Sequence, residues 1–433
     1  MTMFDFIVRQ ACVVDTTQDQ IADVAIQDGQ IVEVASTIND SAKVEVDATD
    51  KILIPGGIDA HVHFNEPGRT NWEGFATGSS ALAKGGYTSF FDMPLNSTPP
   101  TNTLQAFDKK RQLADEKSVV NAYLWGGLTP NNLDQLDALV EKGVIGFKAF
   151  MSNSGIDDFP AVDDYTLYRG MEILAPHGAI VAVHAENDNL TARLAQKAIA
   201  EGRLSTRDYL ESRPIIAECE AIQRAILFAE ETGCKLHIVH VSSSKGVQLV
   251  TQAKQRGVDV TCEICPHYLT LTDEDVIRMG APAKCAPPIR SQAEQDLLWE
   301  EVLAGNIDFI ASDHSPAPND MKQGDNFFKI WGGIAGCQTS LPIMLTVGYH
   351  QRGLLLQQIV TLTSTNVAER FGLATKGAIQ VEMDADLTLI DIDSEWTLRE
   401  SDLITRHPIN PYLGMDFRGE IVGTWVKGKR VYG

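Results

Sequence analysis

From about residue 52 onward, short apolar runs alternate with helix-like segments, and this alternation limits the fold more than any other feature of the chain. The runs are ILIPGGIDAHVHF (52–64), GYTSFFDMP (86–94), VVNAYLWGGL (119–128) and VIGFKAFM (144–151). They continue with IVAVHAE (180–186), KLHIVHVSS (235–243), VDVTCEICPHYL (258–269) and NIDFIASDHS (306–315). Each is nearly continuously apolar, as a strand covered on both faces must be. Segments such as NLDQLDALVEKG and AECEAIQRAILFAEETG lie between them and read as helices. Eight strands, each followed by a helix, predict an α/β fold in which residues 52–376 form a closed parallel (β/α)8 barrel of the TIM type. An open doubly wound sheet is the alternative, because closure leaves no direct mark on a sequence.

The two ends read differently. Residues 1–51 carry short alternating strands, FIVRQACVVD and IADVAIQDGQIVEVA, with an Asp-Gly turn, and residues 377–433 do the same with ADLTLIDID and EIVGTWVKGKRVYG. Neither end alone has enough strands to bury a face. Together they predict one small β-sandwich domain built from both termini and flanking the barrel.

In a parallel barrel the chemistry sits at the carboxyl ends of the strands. Those ends carry His61 and His63 on the first strand, Lys148 on the fourth, His184 on the fifth, His240 on the sixth and Asp313 on the eighth. Strand side chains alternate faces, so His61 and His63 point the same way. Imidazole and carboxylate together suit a borderline divalent ion such as zinc. Lys148 is the odd member, and on a surface it would only make an ion pair. Within GFKAFM, however, desolvation favours its neutral amine. A neutral amine can take up carbon dioxide as a carbamate, whose two oxygens can bridge two ions about 3.5–4 Å apart. Among the remaining histidines, His177, His350 and His407 fall outside these strand ends and read as surface or packing residues, and His237 as a supporting residue.

Composition narrows the partners. The chain has 433 residues, enough for a large core with a smaller domain attached. No run of apolar residues is long enough for a membrane span, and MTMFDFIVRQ lacks the basic start and apolar run of a signal peptide. Seven scattered cysteines suit a reducing cytoplasm, and the CEIC at 262–265, with no second pair, reads as strand packing. A net charge of −22 disfavours nucleic acid and anionic membrane as partners.

DAHVHF, the lysine of GFKAFM, VHAE, HIVHVSS and ASDHSP resemble the metal motifs of the cyclic amidohydrolases. That family includes dihydroorotases, hydantoinases, dihydropyrimidinases and allantoinases, and the likeness covers essentially the whole chain. It implies that His61, His63 and Asp313 hold one metal, that His184 and His240 hold another, and that carbamylated Lys148 bridges both. It also implies hydrolysis of a cyclic amide, with Asp313 as general base and then acid. Relatives are commonly tetramers, which implies a homotetramer here.

The loops bear on the substrate. Asn65 stands where dihydroorotases have an arginine for the substrate carboxylate, and Asn153 and Ser154 stand where hydantoinases have a tyrosine. NEPGRTNWEGFATG, DMPLNSTPPT, KCAPPIR and NDMKQGDNFFKIWGGIAGCQTSLP are similar to stretches of allantoinases. The resemblance therefore implies a small neutral cyclic amide, allantoin, opened to allantoate in purine degradation. Asn65, Asn96, Asn153, Ser154 and Ser315 are its expected hydrogen-bond partners. Arg69 and Arg290 read as loop tethers or anion binders. The alternatives are a hydantoinase or dihydropyrimidinase, a dihydroorotase, and, from another class, a scaffold that keeps the barrel without catalysis.

Overall fold

The computed structural model describes residues 3–16 and 19–433. The barrel strands are Gly57–Val62, Tyr87–Asp92, Asn121–Leu124 continued by Gly126–Gly127, Phe147–Phe150, Ile180–His184, Lys235–Ile238, Val260–Ile264 and Phe309–Ile310. Successive strands pair in parallel. The ring closes where a parallel bridge joins Val62 to His314 and the His63 amide donates to the His314 carbonyl at 2.7 Å. Closure decides for the barrel over the open sheet.

Three runs differ from their sequence reading. Ile52–Pro55 leaves the barrel and pairs with Met3–Val14 and Leu387–Thr397 in the terminal sheet. The joint needs glycine, because a Cβ on Gly56 would lie 2.2 Å from the Thr88 side chain. The seventh run stops as a strand at Ile264, and Pro266–Thr270 is a short helix with proline at its start, where a missing N–H costs nothing. The eighth strand keeps only Phe309–Ile310, and the chain beyond it turns so that Asp313 adopts a left-handed φ of 45°.

The helices bury one stripe each. Ile215–Thr232 turns Ala221, Ile222, Ala225, Ile226 and Ala229 inward, at helical spacing, and ends on Gly233 at φ 69°. Leu104–Lys117 sends a charge inward instead. Lys110 is buried, and its Nζ meets Asp92 at 2.6 Å and the Met93 carbonyl at 2.6 Å. Asp92 also accepts the Phe64 amide at 2.7 Å, so this pair fixes the chain just past His63.

The termini build one mixed eight-stranded sheet. Its strands are Met3–Val14, Asp19–Gln27, Gln30–Ala35, Ser41–Asp47, Ile52–Pro55, Leu387–Thr397, Asp416–Val426 and Lys429–Tyr432. Val8, Val24, Ile31, Leu53, Leu387 and Trp425 share its core. The sheet thus draws on both ends of the chain around a core of its own. Among the described residues no helix is long and apolar enough to cross a membrane.

Candidate metal centre

The first strand delivers His61 and His63 side by side, with ring centroids 5.3 Å apart. Asp313 comes from the segment after the eighth strand, which the closed ring sets beside the first, and its Oδ1 lies 3.2 Å from His61 Nε2 and 3.4 Å from His63 Nε2. Donor atoms of these three buried residues all fall within 4.8 Å of one another, close enough to share one ion. Burial pushes the Asp313 carboxyl up, but His61 and His63 outweigh it and hold the group at about 2. The carboxylate is therefore ionised at neutral pH.

A second pair of donors faces this group. His184 Nδ1 and His240 Nε2 are 3.0 Å apart, and the rings of His61 and His240 lie 5.4 Å apart. Like Asp313, His240 sits past the end of its strand with a left-handed φ, here 39°. Such a backbone is strained for a non-glycine residue and must be held by its surroundings. His240 Nδ1 has no partner.

Lys148 is fully buried in the fourth strand, and its Nζ has no hydrogen-bond partner. It lies 5.2 Å from the centroid of the Phe150 ring, which stacks on His184 at 4.6 Å. Burial lowers its pKa to about 8, against the opposing pull of Glu263 and Asp313. An orphaned, partly neutral amine beside four imidazoles and a carboxylate fits a group that is completed by something bound.

Three of the four histidines are braced from behind, as metal ligands commonly are. His61 Nδ1 meets Glu263 Oε1 at 2.5 Å, and His63 Nδ1 donates to the Leu95 carbonyl at 2.8 Å. His184 Nε2 meets Glu186 at 2.9 Å, and Glu186 is in turn paired with Arg213. The Asp59 carboxylate accepts the His61 and Ser312 amides and so ties the first strand to the eighth. The sequence reading named none of Glu263, Glu186 or Asp59. The signal was there, since each is a lone acid inside or just after an apolar strand. His267 was also missed. It is buried, its Nε2 is unpaired, and burial lowers its pKa to about 4.

These groups open into a cavity of about 370 Å³. His61, His63, His184, His240 and Asp313 line it together with Asn96, Asn153, Ser154 and Ser315. Asn65 does not line it. That residue is buried at φ 64° with both amide atoms unpaired, and its carbonyl accepts the Arg69 amide in the turn after His63. Ser154 spends its hydroxyl on the Phe159 carbonyl at 2.6 Å. Arg69 and Arg290 are tethers, on the Asn96 carbonyl at 2.6 Å and on Ser242 Oγ at 3.1 Å. Three basic side chains stand in the wall: half-buried Arg213 pairs with Glu186, buried Lys284 donates to the carbonyls of Phe327 and Ile330, and Lys329 is exposed.

Known proteins resemble this chain over nearly its whole length. The model of the Amidohydrolase family matches residues 52–431. An allantoinase of Rubrobacter xylanophilus is 54% identical over 432 residues, covering 100% of this chain and 95% of the relative. An allantoinase of Deinococcus radiodurans is 53% identical over 99% of this chain and 95% of its own length. Among solved structures, an L-hydantoinase (dihydropyrimidinase) from Arthrobacter aurescens superposes with a TM-score of 0.97 at 36% identity, covering 99% of this chain and 96% of that one. With the barrel closed, the histidines and aspartate gathered at its mouth, and relatives alike over their whole length, this chain belongs to the Amidohydrolase family.

Proposed function

We propose that the protein hydrolyses the ring amide of allantoin to give allantoate. The observation that carries this reading is the cavity wall: beside the cluster of donors stand the neutral hydrogen-bonding side chains of Asn96, Asn153 and Ser315, while Arg213 is already paired with Glu186 and Lys284 donates to two backbone carbonyls. Allantoin is uncharged and rich in donors and acceptors, so it needs amide and hydroxyl partners more than a cation. The name shared by the 54% and 53% identical relatives points the same way.

His61, His63 and Asp313 would hold one divalent ion and His184 and His240 a second, zinc being the ion their chemistry suits first. Carbon dioxide adding to the neutral Lys148 amine, with loss of one proton, would give the carbamate that joins the two. Bound there, the ions supply Lewis acidity at the ring carbonyl and a water of lowered pKa. Asp313, ionised at neutral pH, would accept the proton of the attacking water. As the ring C–N bond breaks, Asp313 returns the proton to the departing nitrogen. Asn96 and Ser315 orient the ring and its ureido arm. Asn153 holds itself at the rim, its amide donating to Asp188 and its side-chain oxygen accepting from Gly155.

The seven cysteines form no disulfide, which fits a cytoplasmic enzyme, and we assign a homotetramer by analogy with the family. The test is reconstitution. Chelator-stripped protein should be inactive on allantoin, and zinc with bicarbonate should restore allantoate formation. Full activity in protein shown to carry no divalent ion would refute the mechanism.

A further inference from the structure

The carboxylate of Glu263, buried near the end of the seventh barrel strand, touches two of the assigned ligands. Its Oε1 meets His61 Nδ1 at 2.5 Å and accepts the backbone amide of His240 at 3.3 Å. Its Oε2 meets His237 Nε2 at 3.0 Å, and His237 Nδ1 is anchored 3.0 Å from Thr261 Oγ1. Under the ligand assignment above, on which this inference rests, His61 and His240 serve different ions.

We propose that Glu263 is a positioning residue that couples the two halves of the metal centre, with His237 fixing the carboxylate in place. Toward His61 it acts on the tautomer. With the proton of His61 on Nδ1 and donated to Glu263, the ring offers its lone pair from Nε2, the atom 3.2 Å from Asp313. Toward His240 it acts on the backbone. A non-glycine residue at φ 39° is strained, and the captured amide holds it in the one conformation that aims Nε2 at His184. Glu186 differs in kind, since among the assigned ligands its carboxylate meets only His184. One carboxylate thus serves one side of the centre and the other serves both.

The test compares metal affinity rather than turnover alone. Stripped protein is dialysed against buffered free Zn²⁺ and the bound ions are counted, and cobalt-loaded samples are compared by their visible bands. Glu263→Gln keeps the shape and loses the charge, whereas Glu263→Asp keeps the charge and loses the reach. Both should weaken both ions about 10–100-fold and shift the cobalt bands, while Glu186→Gln should weaken one ion only. If neither Glu263 variant folds, His237→Asn leaves Glu263 in place without its second anchor and should weaken both ions to a smaller degree. Wild-type affinity in these variants, or loss confined to one ion, would overturn the coupling role. A wild-type chain that binds fewer than two ions would instead overturn the ligand assignment, and this inference with it.

Discussion

Lys148→Ala separates stability from chemistry, because two effects on the metal-free protein nearly cancel. The substitution removes three buried methylenes and leaves the Cβ, a loss of roughly 2–3 kcal/mol at about 0.8 kcal/mol each. It also removes an amine that burial holds at about 8 instead of 10.5, a penalty of roughly 3 kcal/mol at pH 7. Metal-free, carbon dioxide-free Lys148→Ala should therefore unfold within about 1 kcal/mol of the parent at pH 7. The sign of the pH dependence follows from the same shift. The unfolded lysine keeps its proton up to 10.5 and the folded one only to about 8, so the penalty is complete below pH 8 and fades as pH rises. Parent stability relative to the variant should thus increase between pH 8 and 10.5. Activity should behave oppositely, falling by orders of magnitude with loss of the bridged pair of ions and returning in part with short carboxylic acids. Denaturant titrations across pH, ion counting and turnover with added acetate or propionate would check this. A variant that keeps two ions and full turnover unaided would refute the bridging role.

Asp313→Asn should lower kcat by roughly 10²–10⁴-fold as the proton carrier is lost, and unchanged turnover would remove it from the mechanism. His184→Ala and His240→Ala should each cost one ion along with the rate, read by ion counting. Ser315→Ala should raise KM for allantoin about 2–10-fold, the value of one hydrogen bond, and leave kcat nearly unchanged. Lys110→Met should strand Asp92 as a buried charge and destabilise the fold by about 3–5 kcal/mol in thermal or denaturant unfolding.

The barrel and its mouth were legible because burial writes itself into sequence. A strand covered on both faces has to be apolar, so each polar residue at its carboxyl end, such as His184 after IVAV, stands out. What was not legible depended on contacts across the ring. The acid of CEIC reads as an interruption in a packed strand until the fold sets Glu263 against His61 from the first strand. Asn65 misled for another reason. It was read from the resemblance, as the neutral residue at an arginine position, but a left-handed φ turns the chain there and its side chain does not line the cavity wall. The break at Gly56 was hidden too, because the apolar run continues through it while the chain passes from one sheet to another.

The substrate is the central claim, and a panel of kcat/KM values tests it most directly. Metal-loaded protein is given allantoin, unsubstituted hydantoin, dihydrouracil and dihydroorotate under one set of conditions. A wall that hydrogen-bonds the ureido arm leaves its own polar groups unpaired with analogues lacking it, and with Arg213 and Lys284 committed a carboxylate finds no free buried cation in the wall. Allantoin should therefore exceed the other three by large factors. Comparable or better turnover of hydantoin or dihydroorotate would contradict the assignment.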